Sequence, residues 1–190
     1  MQQILLIDNY DSFTYNLVQL LSESGVPHNL IIVSNDVDLA QLPTGIDKVI
    51  ISPGPGLPQE SGNLMKLIAY YANNTDLLGI CLGHQAIAMH FGAKLRHLQF
   101  AAHGIGSVVT HDKRDPIFKD VPVSFVSGRY HSWVIDETSL PTDLIISARD
   151  ETENIMAFYH KSLTINGLQF HPESYITKEG SQIIKNWLTK

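Results

Sequence analysis

Short apolar runs alternate with stripes of apolar residues at helical spacing through the first half of the chain. Ile4–Ile7 is an unbroken apolar run, the pattern of a strand buried on both faces. It ends at Asp8-Asn9, and Phe13, Leu17, Leu20 and Leu21 follow as one helical face. Ser12 stands where an N-cap would, and Gly25 where the helix would stop. Asn29–Val33 and Lys48–Ser52 read as the second and third strands. Leu64, Leu67, Ile68 and Tyr71 form a second helical stripe, and Leu77–Ile80 is a fourth short strand. His84–Phe91 reads as a helix ending at Gly92.

The second half has a different rhythm. Val108–Val109, Val123–Val126, Leu144–Ser147, Ile155–Tyr159 and Leu163–Phe170 read as strands joined by short turns. Ile183, Ile184, Trp187 and Leu188 give a last helical stripe. The pattern predicts an α/β fold: a mostly parallel central sheet with helices on both faces and additional antiparallel strands in the second half. One domain over residues 1–190 is expected, without repeats or linkers. Open sheets of this kind bind ligands beyond the carboxyl ends of their strands. The unusual residues gather there, at Asp8–Ser12, Ser52–Gly56 and Cys81–Gln85.

Composition narrows the function classes. Of the 190 residues, 44% are hydrophobic and 17% charged, enough apolar material for a sizeable core. Thirteen Lys and Arg against nineteen Asp and Glu leave a formal charge of −6, the opposite of a nucleic-acid binder. Met1–Asp8 has no basic start and an apolar run of only four, so no signal peptide and no membrane association are expected. The lone cysteine, Cys81, excludes an internal disulfide and fits a reducing, cytoplasmic setting. No two of the nine histidines lie closer than six residues apart, so no zinc-type pair is present and no metal site is expected.

Gly79-Ile80-Cys81-Leu82-Gly83 is a G-x-C-x-G at a strand-to-helix junction, the thiol counterpart of the G-x-S-x-G nucleophile elbow. The glycines permit a turn that a Cβ would block, and the turn presents the nucleophile. A helix starting after Cys81 aims its N-terminal N–H groups at the sulfur and favours the thiolate. The N–H of Leu82 is placed to stabilise an oxyanion. A buried core thiol is the usual fate of a lone intracellular cysteine, and this local context argues against it. The base is sought at His171, in His171-Pro172-Glu173 after a strand. Pro172 biases His171 towards extended geometry, where residues two apart share a face, so Glu173 can orient the imidazole. Ser52-Pro53-Gly54-Pro55-Gly56-Leu57-Pro58 is stiffened by prolines and lets a ligand approach its glycines; it lacks the spacing of a nucleotide loop.

With these motifs in this order, the chain resembles the class I (triad) glutamine amidotransferases, whose core is flavodoxin-like. Asp8-Asn9-Tyr10-Asp11-Ser12-Phe13-Thr14-Tyr15-Asn16 and Arg129-Tyr130-His131-Ser132 resemble the glutaminase subunits of anthranilate synthase and aminodeoxychorismate synthase. The resemblance runs from Ile4 to the last helix. It implies Cys81 as nucleophile, His171 as general base and acid, and Glu173 as the orienting carboxylate. It implies a glutamine site lined by Gly54, Pro55, Gly56 and Gln85, with backbone at Ser132 and Trp133 holding the substrate's α-amino and carboxylate ends. Gly56 and Leu82 would supply oxyanion N–H groups. It further implies L-glutamine as substrate and, as partner, a chorismate-binding synthase subunit. No cofactor is implied in this chain, and magnesium is implied in that partner. Ile105, after His103-Gly104, stands where the family usually carries lysine, which bears on the partner contact; Trp133 stands where leucine is frequent. Two other readings are a stand-alone cysteine hydrolase of peptide or γ-glutamyl bonds and a catalytically silent binding module. Gln85 and the Asn9–Asn16 segment favour the amidotransferase over the first, and the intact Cys81, His171 and Glu173 argue against the second.

Overall fold

Odd and even positions of the first strand face two different cores. Ile4 and Leu6 pack with one helix pair, Leu5 and Ile7 with another, and all four are fully buried. The computed structural model describes residues 1–100, 102 and 104–190. In the first half it contains β1 (Gln2–Asp8), α1 (Thr14–Ser22), β2 (His28–Ser34), β3 (Lys48–Ile51), α2 (Leu64–Tyr71), β4 (Asp76–Ile80) and α3 (Leu82–His90). Then follow β5 (Lys94–His97), β6 (Ile105–His111), β7 (Ser124–Arg129), β8 (Trp133–Asp136), β9 (Leu144–Asp150), β10 (Ile155–His160), β11 (Ile165–Leu168) and α4 (Gly180–Thr189).

Among the described residues, nine strands form one sheet in the order β2-β1-β3-β4-β11-β10-β9-β6-β7. The first five of these run parallel; the remaining pairings are antiparallel. Leu17 and Leu21 of α1 and Ile183, Ile184, Trp187 and Leu188 of α4 fill one face. Leu64, Leu67 and Ile68 of α2 and Ala86 and Ile87 of α3 fill the other. The expected layering, helices on both faces of a mostly parallel sheet, is present.

Several details differ from the sequence pattern. Ser12 does not cap α1: the helix begins at Thr14 with Phe13 at the N-cap position and no side-chain cap. Asp11 instead accepts from the Phe13 N–H at 2.7 Å, and Thr14 Oγ1 donates to Asp8 at 2.7 Å. The helix expected over His84–Phe91 starts at Leu82, directly after Cys81. β6 extends well beyond Val108–Val109 at both ends, and β7 starts at Ser124 rather than Val123 and runs on to Arg129. The last strand is shorter than Leu163–Phe170 and belongs to the parallel half, because Gly167 and Leu168 pair with Gly79 and Ile80. β5 and β8 form a small antiparallel pair that the apolar pattern did not announce.

Trp187 is the largest fully buried side chain and lies under Lys48, whose Nζ is 5.0 Å from its ring. Trp187→Ala is expected to cost about 3–5 kcal/mol. The urea midpoint reads this, and a loss below about 1 kcal/mol would mean that α4 does not close that face.

Candidate active site

Cys81 stands between the end of β4 and the start of α3 with φ +52° and ψ −98°, in a region a non-glycine residue rarely adopts. The neighbours explain it. A Cβ at Gly79 would sit 2.4 Å from the carbonyl carbon of Gly83, and one at Gly83 would sit 2.6 Å from the Ile51 carbonyl oxygen. Only glycine lets β4, α3 and β3 meet so closely. Cys81 N–H donates to the Leu168 carbonyl at 2.7 Å, which ties the elbow to β11.

That bond brings the end of β11 level with the end of β4. Three residues on, His171 N–H donates to the Gly128 carbonyl. Its Nδ1 meets Glu173 Oε1 at 2.6 Å, with both side chains buried. Nε2 is therefore the nitrogen left to face Cys81. Burial opposes a charge on His171, but Cys81 and then Glu173 outweigh it and raise the imidazole well above the ordinary histidine range. Glu173 Oε2 is buried without a partner among the described residues, so this carboxylate answers to His171. Phe13 and Tyr130 pack edgewise on the imidazole, with centroids 5.6 and 4.8 Å away.

The Pro-Gly loop is pinned from the first strand. Asn9 donates through Nδ2 to the Ser52 carbonyl at 2.8 Å and accepts from Asn35 at 3.0 Å. A Cβ at Gly54 would meet Asn9 Cβ at 2.5 Å and Leu82 at 2.6 Å, while Gly56 adopts φ +75°. Leu82 opens α3, where first-turn N–H groups have no partner within the helix.

These pieces enclose a pocket of about 320 Å³. Gly54, Pro55, Gly56, Cys81, Leu82, Gln85, Ser132 and Trp133, all anticipated from the sequence, line it. His97, Tyr130 and His131 line it too. Only Tyr130 and His131 lay within a motif noticed beforehand. His171 and Glu173 stand behind Cys81 rather than in the wall. A wider cavity of about 530 Å³ along β6 and β9 holds none of the anticipated residues. Ile105 starts β6, half exposed; His103 lies outside the described residues. No helix is long and apolar enough to cross a membrane among the described residues.

Two residues of the surroundings escaped sequence reasoning. Gln169, fully buried, places Nε2 3.7 Å from Cys81 Sγ. His84 is fully buried beside Phe158, and neither ring nitrogen has a partner among the described residues. A Cβ at Gly167 would meet the His84 ring at 2.8 Å, so that glycine makes room for it.

A thiol on a strained elbow, backed by a histidine–carboxylate pair and facing a small pocket, is the arrangement of a cysteine-dependent acyl-transfer enzyme. The chain belongs to the class-I glutamine amidotransferases, whose family model matches residues 5–190. It is 43% identical over 188 residues to anthranilate synthase component 2 of Porphyra purpurea, covering 97% of this chain and 98% of that one. It is 41% identical over 189 residues to aminodeoxychorismate synthase component 2 of Escherichia coli (strain K12), with the same coverages. A crystal structure from Thermoplasma acidophilum, provisionally described as part of a GMP synthase, matches with TM-score 0.87 and 32% identity, over 100% of this chain and 93% of that one.

Burial pushes His84 down to about 3, helped by His131; burial and then Arg129 push His131 down to about 3. Both are neutral when folded, whereas the unfolded chain protonates them near pH 6.5. Acid thus loads protons onto the unfolded state first, and stability falls as pH drops from about 6.5. The expected slope is about 1.4 kcal/mol per pH unit for each histidine within that window. His84→Leu should remove one such proton from the slope of urea stability between pH 7 and 5; an unchanged slope would contradict a neutral, buried His84.

Proposed function

We propose that this chain is a glutaminase subunit. It hydrolyses L-glutamine to glutamate and ammonia through a thioester on Cys81 and delivers the ammonia to a chorismate-binding synthase subunit. The observation that carries the reading is Cys81 on its elbow beside the His171–Glu173 pair, opening into a pocket of amino-acid size.

The chemistry follows from the placement. The Cys81 thiolate attacks the side-chain carboxamide carbon, and the carbonyl electron pair moves onto oxygen. N–H groups of Leu82 and Gly56 receive that oxyanion; losing one such donor costs about 2.7–4 kcal/mol. His171 gives its proton to the amide nitrogen, the oxyanion pair re-forms the carbonyl, and the C–N bond breaks, so ammonia leaves and the thioester remains. The neutral imidazole then takes a proton from water, the resulting hydroxide attacks the thioester carbon, and the C–S bond breaks with its electron pair returning to sulfur. Glu173 holds the imidazole's orientation and steadies its charged form throughout.

The pocket wall supports glutamine. Both Nε2 hydrogens of Gln85 are occupied, by the Trp133 carbonyl at 2.8 Å and Gln169 Oε1 at 3.1 Å. Gln85 therefore offers a ligand its oxygen, an acceptor suited to the α-ammonium of an amino acid. In this reading Ser132 and Trp133 act through their backbone, so Trp133 in place of leucine keeps the function.

We assign anthranilate as the product of the complex. Aminodeoxychorismate is the second reading, supported by the Escherichia coli relative at nearly the same identity as the algal one. The relatives are named component 2, which supports a separate synthase component as partner. In this proposal the chain works without a cofactor of its own, and magnesium belongs to the partner.

Cys81→Ser should abolish glutamine-dependent synthesis by the complex and leave ammonia-dependent synthesis intact. Equal loss of both would contradict the division of labour. A glutamine analogue bearing an electrophile should label Cys81 alone; faster cleavage of a peptide panel than of glutamine would favour the stand-alone hydrolase.

A further inference from the structure

A backbone carbonyl can only accept, so the Trp133 carbonyl sets the direction of a hydrogen-bond chain that ends on the nucleophile. Arg129 anchors that carbonyl through His131. Its Nη1 donates to Asp150 Oδ2 at 2.6 Å, with both side chains buried. Its Nε donates to His131 Nε2 at 3.1 Å. That nitrogen must accept, so this bonding pattern puts the His131 proton on Nδ1, which donates to the Trp133 carbonyl at 3.0 Å. The same carbonyl accepts from Gln85 Nε2 at 2.8 Å, which turns the Gln85 amide nitrogen inward. Its other hydrogen goes to Gln169 Oε1 at 3.1 Å. With the oxygen so engaged, Gln169 presents Nε2 to Cys81 Sγ at 3.7 Å. Gln169 is fully buried, and its backbone N–H is held by the Met156 carbonyl at 2.9 Å.

We propose that Gln169 is a catalytic residue that donates a hydrogen bond to the Cys81 thiolate, and that Gln85, His131 and Arg129 are positioning residues that keep its amide from flipping. The proposal deepens the glutaminase reading and rests on it for its catalytic meaning. A flipped amide would set Oε1 against the sulfur, lone pair against negative charge. In the correct orientation the N–H supports the thiolate before attack. It meets the electron pair again when the C–S bond breaks and sulfur becomes the leaving group. A hydrogen bond to a charged partner is stronger than one between neutral groups, so the effect on reactivity is measurable.

The test is alkylation of Cys81 by iodoacetamide across pH, in wild type, Gln169→Met and Gln85→Leu. Gln169→Met keeps volume and removes the donor. Its alkylation rate at neutral pH should fall about ten-fold, while its rate at high pH, where every thiol is ionised, stays at the wild-type value. Gln85→Leu should fall less, since Gln169 remains but loses its orientation. In the complex, Gln169→Met should lower kcat for glutamine and spare KM, because Gln169 does not line the pocket. A wild-type rate at neutral pH, or an equal loss at high pH that marks simple occlusion, overturns the proposal. Should Gln169→Met fail to fold by circular dichroism, Gln85→Leu decides, and a wild-type rate there overturns it. Ammonia release from glutamine by the wild-type complex is measured alongside. Its absence sinks the glutaminase reading, while the alkylation profile still judges the hydrogen bond by itself.

Discussion

A β-carbon on Gly79 would lie 2.4 Å from the Gly83 carbonyl carbon, so β4 and α3 meet more closely there than any other residue permits. That approach leaves a single residue, Cys81, to turn the chain from strand to helix, and drives it to φ +52°. Such a backbone costs on the order of 1–3 kcal/mol and persists only where its surroundings over-determine it. Here they do: the Cys81 N–H is bonded to Leu168 on one side, and its carbonyl accepts from Gln85 N on the other. Cys81 is still buried, 5% exposed and packed with one of the two cores, and the strained turn is what gives it a place in the pocket wall.

The same parallel pairing sets the rest of the site. Once Leu168 is level with Ile80, the chain beyond β11 has three residues in which to reach the nucleophile, and His171 arrives. It is fastened to β7 through Gly128, and Thr177 Oγ1 ties both: it donates to the His171 carbonyl at 2.7 Å and accepts from Gly128 N–H at 2.9 Å. Arg129, next along β7, begins the hydrogen-bond chain to the pocket wall. Nucleophile and histidine thus follow the neighbouring strands β4 and β11, and an isolated bridge between His171 and Gly128 joins them to β7 at the far edge of the sheet.

Legibility in the sequence tracked how local the cause was. Buried strands and one-faced helices such as α1 and α4 show in the apolar pattern because burial alone decides them. The start of α3 did not show in the apolar pattern, since Leu82–Ala88 is buried all round and no side chain caps it; the elbow motif alone placed it directly after Cys81. β5 was silent because Lys94, Arg96 and His97 are exposed and leave no alternation. The place of β11 in the parallel half could not be read, because its partner β4 lies more than eighty positions earlier. Cys81, His171 and Glu173 were legible because each sits in a short motif at a strand end. Gln169 was not, since its contribution lies in the direction of bonds to residues 84 and 88 positions away, and Arg129 and His131 showed as part of a motif without their place in that chain of bonds.

Two of the segments beside the site are split between an inward and an outward residue. Asn9, 1% exposed, pins the Pro-Gly loop, and its neighbour Tyr10 is 63% exposed. Ser174, 3% exposed, follows the triad carboxylate, and its neighbour Tyr175 is 87% exposed. In the proposed complex, large exposed aromatics on these loops are the side chains that gain most from being covered by another protein. A partner that grips Tyr175 pulls on a segment two residues from Glu173, and one that grips Tyr10 pulls on the segment that holds Gly54 in place. In the proposed complex, a synthase subunit covering these tyrosines would sit within two residues of Glu173 and beside Asn9, so no long-range path through the sheet would be needed to reach the geometry around Cys81.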